Sequence, residues 1–242
     1  MIGLRIECVQ IDALHALDLG EAAHIIGNTL WDTIRQHDWG GRNQEINAKL
    51  LDADLRAWEK DSKCKTRLQG PITVQRLKTD KSGTVKLKAK GAQTRHLASY
   101  ALVVAKRFST GTEYDRTKIA ICQLLVKLYN IMATSSMFLT AAEKIEFRQA
   151  GQQMVLLHSK LHTDCFSSGQ RRWKFPPKAH LIDHLVTIQT PAWGNPSYSW
   201  CYGDEDLVGM MIEIARSCHA KTCAIVAIVK WLILVFDKDD DE

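Results

Sequence analysis

The apolar residues of the first segment, residues 4–31, change their spacing partway along it. Up to residue 11 they alternate with polar ones, at Leu4, Ile6, Cys8 or Val9, and Ile11. Further on they recur three and four positions apart, at Leu17, Ala22, Ile25, Ile26 and Leu30. A period of two followed by a period of about 3.6 predicts a strand that runs into a helix.

Asp12 and His15 lie where the two patterns meet. Acids with a catalytic role in α/β folds often follow the C-terminal end of a strand, where a crevice opens beyond the sheet. Aspartate is also a common residue at a helix N-terminus, where its side chain accepts hydrogen bonds from free backbone N–H groups. This segment alone leaves both interpretations of Asp12 open, the catalytic acid and the helix cap.

Helical spacing dominates most of the remaining chain. Asn43 precedes a helix-like apolar pattern, and Thr140 and Glu143 have the spacing of a capping box. Residues 92–165 contain apolar positions at helical intervals and no strand pattern, so a helical bundle is expected there. His158 and His162 are four positions apart without the intervening glutamate of a zinc-protease helix, which favours structural or exposed roles.

The segment from Lys60 to Arg95 is strongly basic. It holds eleven lysines and arginines and two aspartates, a net charge of +9 in a chain whose net charge is +5. Apolar and polar residues alternate around its D-K-S-G turn at 80–83, which predicts a short hairpin or two edge strands. Clustered cations neutralise nucleic-acid phosphates and release counterions, so DNA is the expected partner, and a solvated charged hairpin is the alternative. The residues predicted to bind DNA are Lys78, Lys86, Lys88, Lys90 and Arg95.

Cysteine usage and hydropathy bear on the compartment. The seven cysteines are spread without a C-x-x-C pair, and the N-terminus lacks a signal-peptide pattern, so an intracellular protein, nuclear or cytoplasmic, is expected. The trio Cys218, His219 and Cys223 lacks a second ligand pair at zinc-finger spacing. The apolar run at 223–236 is shorter than the roughly 20 residues that a membrane span needs, which predicts a buried helix and no membrane partner.

Two separated groups of short strings resemble one family. Asp12-Ala-Leu-His15, followed by Leu19-Gly20 and Gly27-Asn-Thr-Leu30, resembles the D-x-M-H block of CACTA-type and related DDE cut-and-paste transposases. His180-Leu181 with His184-Leu185 resembles the H-L-x-x-H-L string of that family, and Trp200-Cys-Tyr202-Gly-Asp-Glu205 resembles its W-x-Y-x-x-E string. The two groups stand in the order of the family and cover about a third of the chain.

The resemblance implies an RNase H-like site in which Asp12 and Glu205 are the second and third carboxylates and bind Mg²⁺ or Mn²⁺. The neighbours implied for that site are His15, His184, Trp200 and Tyr202. Leu14 stands where the family usually has methionine, and Asp206 stands where it has a basic residue. No aspartate precedes Asp12, so the first carboxylate of a two-metal site is missing, and we expect at most weak metal binding and no DNA cleavage by this chain.

The sequence therefore predicts a mixed α/β fold, mostly helical, formed by an incomplete RNase H-like core with a large helical insertion. Its expected parts are a strand-helix piece (1–38), a basic linker region with a helix and short strands (39–91), the insertion (92–175) and C-terminal core helices (176–242). The expected function is that of the C-terminal part of a DDE transposase, which is inactive by itself. Self-association into a homo-oligomer is compatible with this prediction. The alternatives are a nucleic-acid-binding module without catalysis and a helical scaffold or interaction protein.

Overall fold

The computed structural model describes residues 10–64, 66–78, 84–219 and 222–236, with only the backbone described for 203–206, 224 and 234–236. Its contacts divide the chain into two compact units, Met1–Ser199 and Trp200–Glu242. Ten α-helices are found in the described ranges. They are α1 (Ala23–Arg35), α2 (Gln44–Asp61), α3 (Val74–Leu77), α4 (Gly91–Arg107), α5 (Glu113–Thr134), α6 (Ala141–Ser167), α7 (Ala179–His184), α8 (Thr190–Trp193), α9 (Tyr202–Arg216) and α10 (Cys223–Phe236).

Helix α1 is the centre of the first unit. A π-helical segment, Leu14–Ala22, runs directly into it, and its residues from Ala23 to Ile34 are all buried. Helices α2, α3, α4 and α5 contact α1, while α6 packs against α5 and α7. A helix that is buried on every side has no solvent face to give to polar residues, so its polar side chains must find partners inside the protein.

Three buried carboxylates on this central element meet that requirement. Asp18 accepts hydrogen bonds from Arg95 of α4 and from the Tyr129 hydroxyl of α5, each over 2.6 Å. Glu21 pairs with His158 of α6, and both side chains are fully buried. The third carboxylate, that of Asp32, binds cations from two further segments. The acids of the central element thus join it to the surrounding helices by charge-assisted hydrogen bonds.

The predicted mixed α/β fold with an RNase H-like core is wrong. The described residues contain no strand, and their only bridge pairing is an isolated antiparallel one between Lys78 and Val85. Residues 1–9 of the predicted first strand and the turn residues 80–83 lie outside the described residues. At Ile11, the backbone N–H and C=O bond to the Gln189 side-chain amide over 2.6 and 3.0 Å, in place of a strand partner.

Where a short hairpin or two edge strands are predicted, around residues 72–87, the described residues pair at one isolated antiparallel bridge, with backbone hydrogen bonds from Lys86 to Leu77 and from Lys88 to Arg76. Thr73 caps the short helix α3 by accepting a hydrogen bond from the backbone N–H of Arg76. The Arg76 guanidinium then donates to four backbone carbonyls, those of Gln69, Gly70, Pro71 and Lys88. One side chain therefore satisfies backbone carbonyls on both sides of α3.

The helical predictions are confirmed where local capping supports them. Asn43 caps α2 through the backbone N–H of Ile46, and Thr140 with Glu143 forms the expected capping box at the start of α6. The predicted bundle over 92–165 corresponds to α4, α5 and α6. His158 is buried and contacts the Glu21 carboxylate, which agrees with the structural role expected for it.

The second unit consists of α9 and α10, which pack against each other. Although the sequence predicts a buried helix at 223–236, the large side chains of α10 are exposed at Ile225, Ile228, Val229, Leu232 and Ile233. Within the part of the chain that the structure describes, no helix combines the length and hydropathy that a membrane crossing requires.

Candidate nucleic-acid interface

One buried asparagine holds together two segments that are far apart in the sequence. The Asn28 side-chain amide, on α1, donates to the Val85 carbonyl over 3.3 Å, and its oxygen accepts from the Trp173 backbone N–H over 2.9 Å. Lys86 and Lys174 are the next residues along these two segments. Asn28 therefore brings two lysines, 88 positions apart in the chain, to the same side of α1.

Close packing of the first segment depends on a glycine. The Leu87 backbone N–H donates to the Ala23 carbonyl of α1 over 2.9 Å. A Cβ at Gly27 would lie 2.5 Å from the Leu87 nitrogen and 2.9 Å from the Lys86 carbonyl carbon, closer than real Cβ contacts allow. Only glycine lets this basic segment lie directly against the helix backbone.

The second segment, residues 169–178, is held by a buried ion pair and a buried indole. Arg172 donates to Asp32 of α1, whose other oxygen accepts a 2.5 Å hydrogen bond from the Tyr114 hydroxyl. Trp173 is fully buried in a left-handed backbone conformation, with φ of 50°, and its indole N–H donates to the same hydroxyl over 2.7 Å. A bulky residue adopts positive φ only when its surroundings impose it, so this segment is firmly anchored.

Four cations project from these anchored segments. Lys86 is half-buried, whereas Arg171, Lys174 and Lys178 are exposed. We refer to the four as the basic cluster. None of them forms an ion pair with any acid that the structure describes. This differs from the usual mixture of opposite charges on a protein surface.

Electrostatic effects confirm that members of the basic cluster lie near one another. Burial lowers the pKa of Lys86, and the positive charge of Lys178 lowers it further. Burial also lowers the pKa of His24, to about 3, with smaller contributions from Lys86, His158 and Lys174. A cationic side chain whose pKa is lowered by another cation is in a positive potential, which is the condition that attracts anions.

Two of the residues predicted to bind DNA are occupied inside the protein. Arg95 is bonded to Asp18 and lies 5.7 Å from the Tyr129 ring centroid, and Lys78 lies 5.5 Å from the Trp31 ring centroid. Lys88 and Lys90 are exposed, and Lys86 belongs to the basic cluster. The lysines of residues 86–90 are therefore the members of this predicted set that can form an interface, and Arg95 and Lys78 are not part of it.

Asp12 occupies the position of a helix cap. Its carboxylate accepts hydrogen bonds from the backbone N–H groups of Leu14 and His15, each over 3.1 Å, and contacts the His15 ring nitrogen at 2.5 Å. These are the bonds expected where a helix begins and its first N–H groups lack partners within the helix. The two backbone hydrogen bonds agree with the cap interpretation of Asp12, and the contact with the His15 ring is additional to it.

The other residues of the predicted metal site cannot be assembled from the described side chains. Glu205 belongs to α9, but its side chain lies outside the described residues, so its predicted convergence with Asp12 stays a prediction. In the second unit, Trp200 and Tyr202 form an edge-to-face ring contact with centroids 5.1 Å apart. His184 is exposed on α7, and its ring centroid is 6.0 Å from that of His180. The predicted binding of Mg²⁺ or Mn²⁺ by Asp12 and Glu205 therefore stays a prediction, and no metal-dependent step is derived from it.

No family model, curated protein or solved structure matches this chain. The residues that organise the interface are ones that sequence reasoning missed or placed elsewhere. In the sequence, Gly27 and Asn28 stand only within a string that resembles a transposase block, and no prediction of DNA binding involves residues 169–177. The one sequence feature that pointed to them was the basic composition of Arg171, Arg172, Lys174 and Lys178 beside Trp173.

Proposed function

We propose that this chain binds DNA through phosphate contacts made by the basic cluster and by Lys88 and Lys90 beside it. One observation carries the proposal: buried anchors on α1 hold cations from two distant segments together, and no acid among the described residues pairs with them. Such an arrangement is electrostatically unfavourable by itself and becomes favourable when phosphates occupy it and counterions are released.

The buried anchors hold the cations of the basic cluster in defined positions, which differs from a positive charge spread over the surface. Lys86 and Lys174 each follow a residue bonded to Asn28, and Arg172 is fixed to Asp32 between Arg171 and Lys174. Because the backbone under these cations is held by buried groups, little backbone order has to be gained when DNA binds. Contacts to phosphates position a protein on DNA without reading its sequence, so we propose binding without sequence preference.

The test is the salt dependence of binding to a labelled DNA duplex. Replacing Lys86, Lys174 and Lys178 by glutamine together removes three phosphate contacts. We expect the slope of log K against log salt to become shallower by roughly 3. Fluorescence anisotropy at several salt concentrations measures this slope directly.

A charge-matched variant separates placement from net charge. Arg42, Lys49 and Arg148 are exposed, lie on other parts of the chain and have no ion-pair partner among the described residues. Changing these three to glutamine removes the same number of charges. Equal losses of affinity in the two triple variants would contradict the proposal, as would an absence of DNA binding by the unaltered chain.

Derivation from a DDE transposase stays a prediction that no comparison tests. Among the described residues there is no sheet to carry its catalytic acids, and Asp12 serves as a helix cap. DNA binding without cleavage is therefore the whole of the proposed function. The genomic sequence upstream of Met1 tests the derivation, since a preceding strand ending in aspartate would support it.

A further inference from the structure

A cleft of about 320 Å³ opens beside the basic cluster. Six of the residues that line it are Thr84, His162, Phe166, Gln170, Arg171 and Lys174. They come from the end of α6 and from both segments that α1 anchors. The cleft thus combines an aromatic surface, two exposed cations and polar side chains in one place.

Phe166 is the unusual member of this set. It lies in the last turn of α6 and is 76% exposed, although a phenylalanine gains most by being buried. The His162 ring, one turn earlier on the same face, has its centroid 6.1 Å from that of Phe166. The two rings form an open apolar surface beside Arg171 and Lys174.

The end of α6 fixes the position of this surface. Gly169, with φ of 71°, accommodates a helix end in which its own N–H donates to the Phe166 carbonyl. The next backbone N–H, that of Gln170, donates to the Cys165 carbonyl over 2.8 Å. The chain therefore turns immediately after Phe166 and returns along the cleft as residues 170–174.

The polar groups around the ring are suited to a nucleotide. The Gln170 side-chain oxygen accepts two bonds from Arg172, which leaves its NH₂ group to donate. The buried Nδ1 of His162 has no hydrogen-bond partner among the described residues. Arg171 and Lys174, which form no ion pair within the described ranges, would meet a phosphate. Aromatic platforms with nearby cations are the recurring way in which proteins bind single strands.

We propose that this cleft binds one nucleotide of single-stranded DNA, with its base stacked on Phe166 and its phosphate at Arg171 and Lys174. The proposal rests on the DNA binding proposed above and adds a preference for unpaired strands. In a duplex the bases are stacked inside the helix and cannot reach an aromatic side chain, whereas a single strand presents them freely.

Binding of the full chain to labelled oligothymidylate of roughly ten nucleotides and to a duplex tests the proposal. We expect Phe166→Ala to weaken single-strand binding about tenfold, to leave duplex binding unchanged, and Phe166→Trp to retain single-strand binding. Phe138, which is 63% exposed, provides the matched control, and Phe138→Ala is expected to change neither affinity.

The outcomes separate this proposal from the one it rests on. If Phe166→Ala leaves single-strand binding unchanged while neutralising Lys86, Lys174 and Lys178 still weakens duplex binding, the stacking site is refuted and DNA binding stands. If the unaltered chain binds neither the single strand nor the duplex, both proposals fail.

Competition with thymidine monophosphate distinguishes the source of the nucleotide. Equal affinity for the monophosphate and the oligonucleotide would overturn the single-strand proposal in favour of a free-nucleotide site.

Discussion

The cations around α1 and those of the basic cluster have opposite relations to acids. Lys118 and Arg172 point inward to the fully buried Asp32, with Lys118 Nζ 3.6 Å from a carboxylate oxygen. Lys86 and Lys174 lie on the two segments that Asn28 anchors and have no acidic partner among the described residues. Equal formal charges therefore contribute differently: the inner cations hold the fold together, and the outer ones are left for a ligand.

Burial determines this difference. Removing one partner from a buried ion pair leaves an uncompensated charge in a medium that solvates it poorly, at a cost of several kcal/mol. An exposed cation is solvated by water, and its interaction with other surface charges is about 1 kcal/mol or less. Stability and DNA binding should consequently respond to different substitutions.

The largest loss of stability is expected when Asp32, the acid that faces Lys118 and Arg172, is removed. Asp32→Ala leaves Arg172 without its carboxylate and removes one of the two carboxylates beside Lys118, whose Nζ is also 3.1 Å from Asp115, so it should lower the free energy of unfolding by about 4 kcal/mol. Urea denaturation followed by circular dichroism measures this change. Asp164→Ala, at an exposed position of α6, is the control and should alter stability by less than about 0.5 kcal/mol.

Acid should destabilise the protein through His24. Burial, with a contribution from Lys86, lowers the pKa of this histidine from 6.5 to about 3. His24 therefore binds a proton below about pH 6.5 in the unfolded chain but only below about pH 3 in the folded chain. The free energy of unfolding consequently falls as the pH drops from about 6.5 to about 3. At about pH 4 the loss should be roughly 3 kcal/mol.

Comparing His24→Gln with the unaltered chain isolates this contribution from that of the carboxylates. The variant should lose less stability between about pH 7 and pH 4 in denaturant titrations. His180→Gln, at an exposed histidine, should keep the full pH dependence. A pH dependence identical in His24→Gln and the unaltered chain would contradict the assignment.

Gly27→Ala should affect both stability and DNA binding. The added methyl group would collide with the backbone of Lys86 and Leu87, so we expect a loss of about 2 kcal/mol and weaker duplex binding. Gly209 of α9 has open space around its Cβ position, and Gly209→Ala should stabilise its helix by up to about 1 kcal/mol. Thermal unfolding and anisotropy on both variants test the contrast.

The smallest effect on stability is expected from the basic cluster itself. Neutralising Lys86, Lys174 and Lys178 removes repulsion between like charges and should raise the free energy of unfolding by a few tenths of a kcal/mol. The same variant should bind DNA less tightly. A stability loss above about 1 kcal/mol would mean that these lysines support the fold. It would contradict the distinction between the cations that bind Asp32 and those of the basic cluster.

Local sequence was sufficient for most helices. The caps at Asn43 and Thr140 act within three residues, so their hydrogen bonds follow from the sequence of one helical turn. The alternating pattern at 72–87 predicts strands, whereas the described residues there form one isolated bridge, and Arg76 satisfies backbone carbonyls of residues 69–71 and 88. A period-two pattern reports the spacing of apolar residues and contains no information about which group completes the hydrogen bonds.

The sequence by itself determined the helical content of residues 92–165, the capped ends of α2 and α6 and the excess of basic residues between Lys60 and Arg95. Tertiary structure alone decided which cations are free. Arg95 is paired because Asp18, 77 positions away, faces it, and Lys86 joins Lys174 because Asn28 bonds to both of their segments. Charge can be counted along a chain, but its neutralisation depends on partners that only folding brings within a few ångströms.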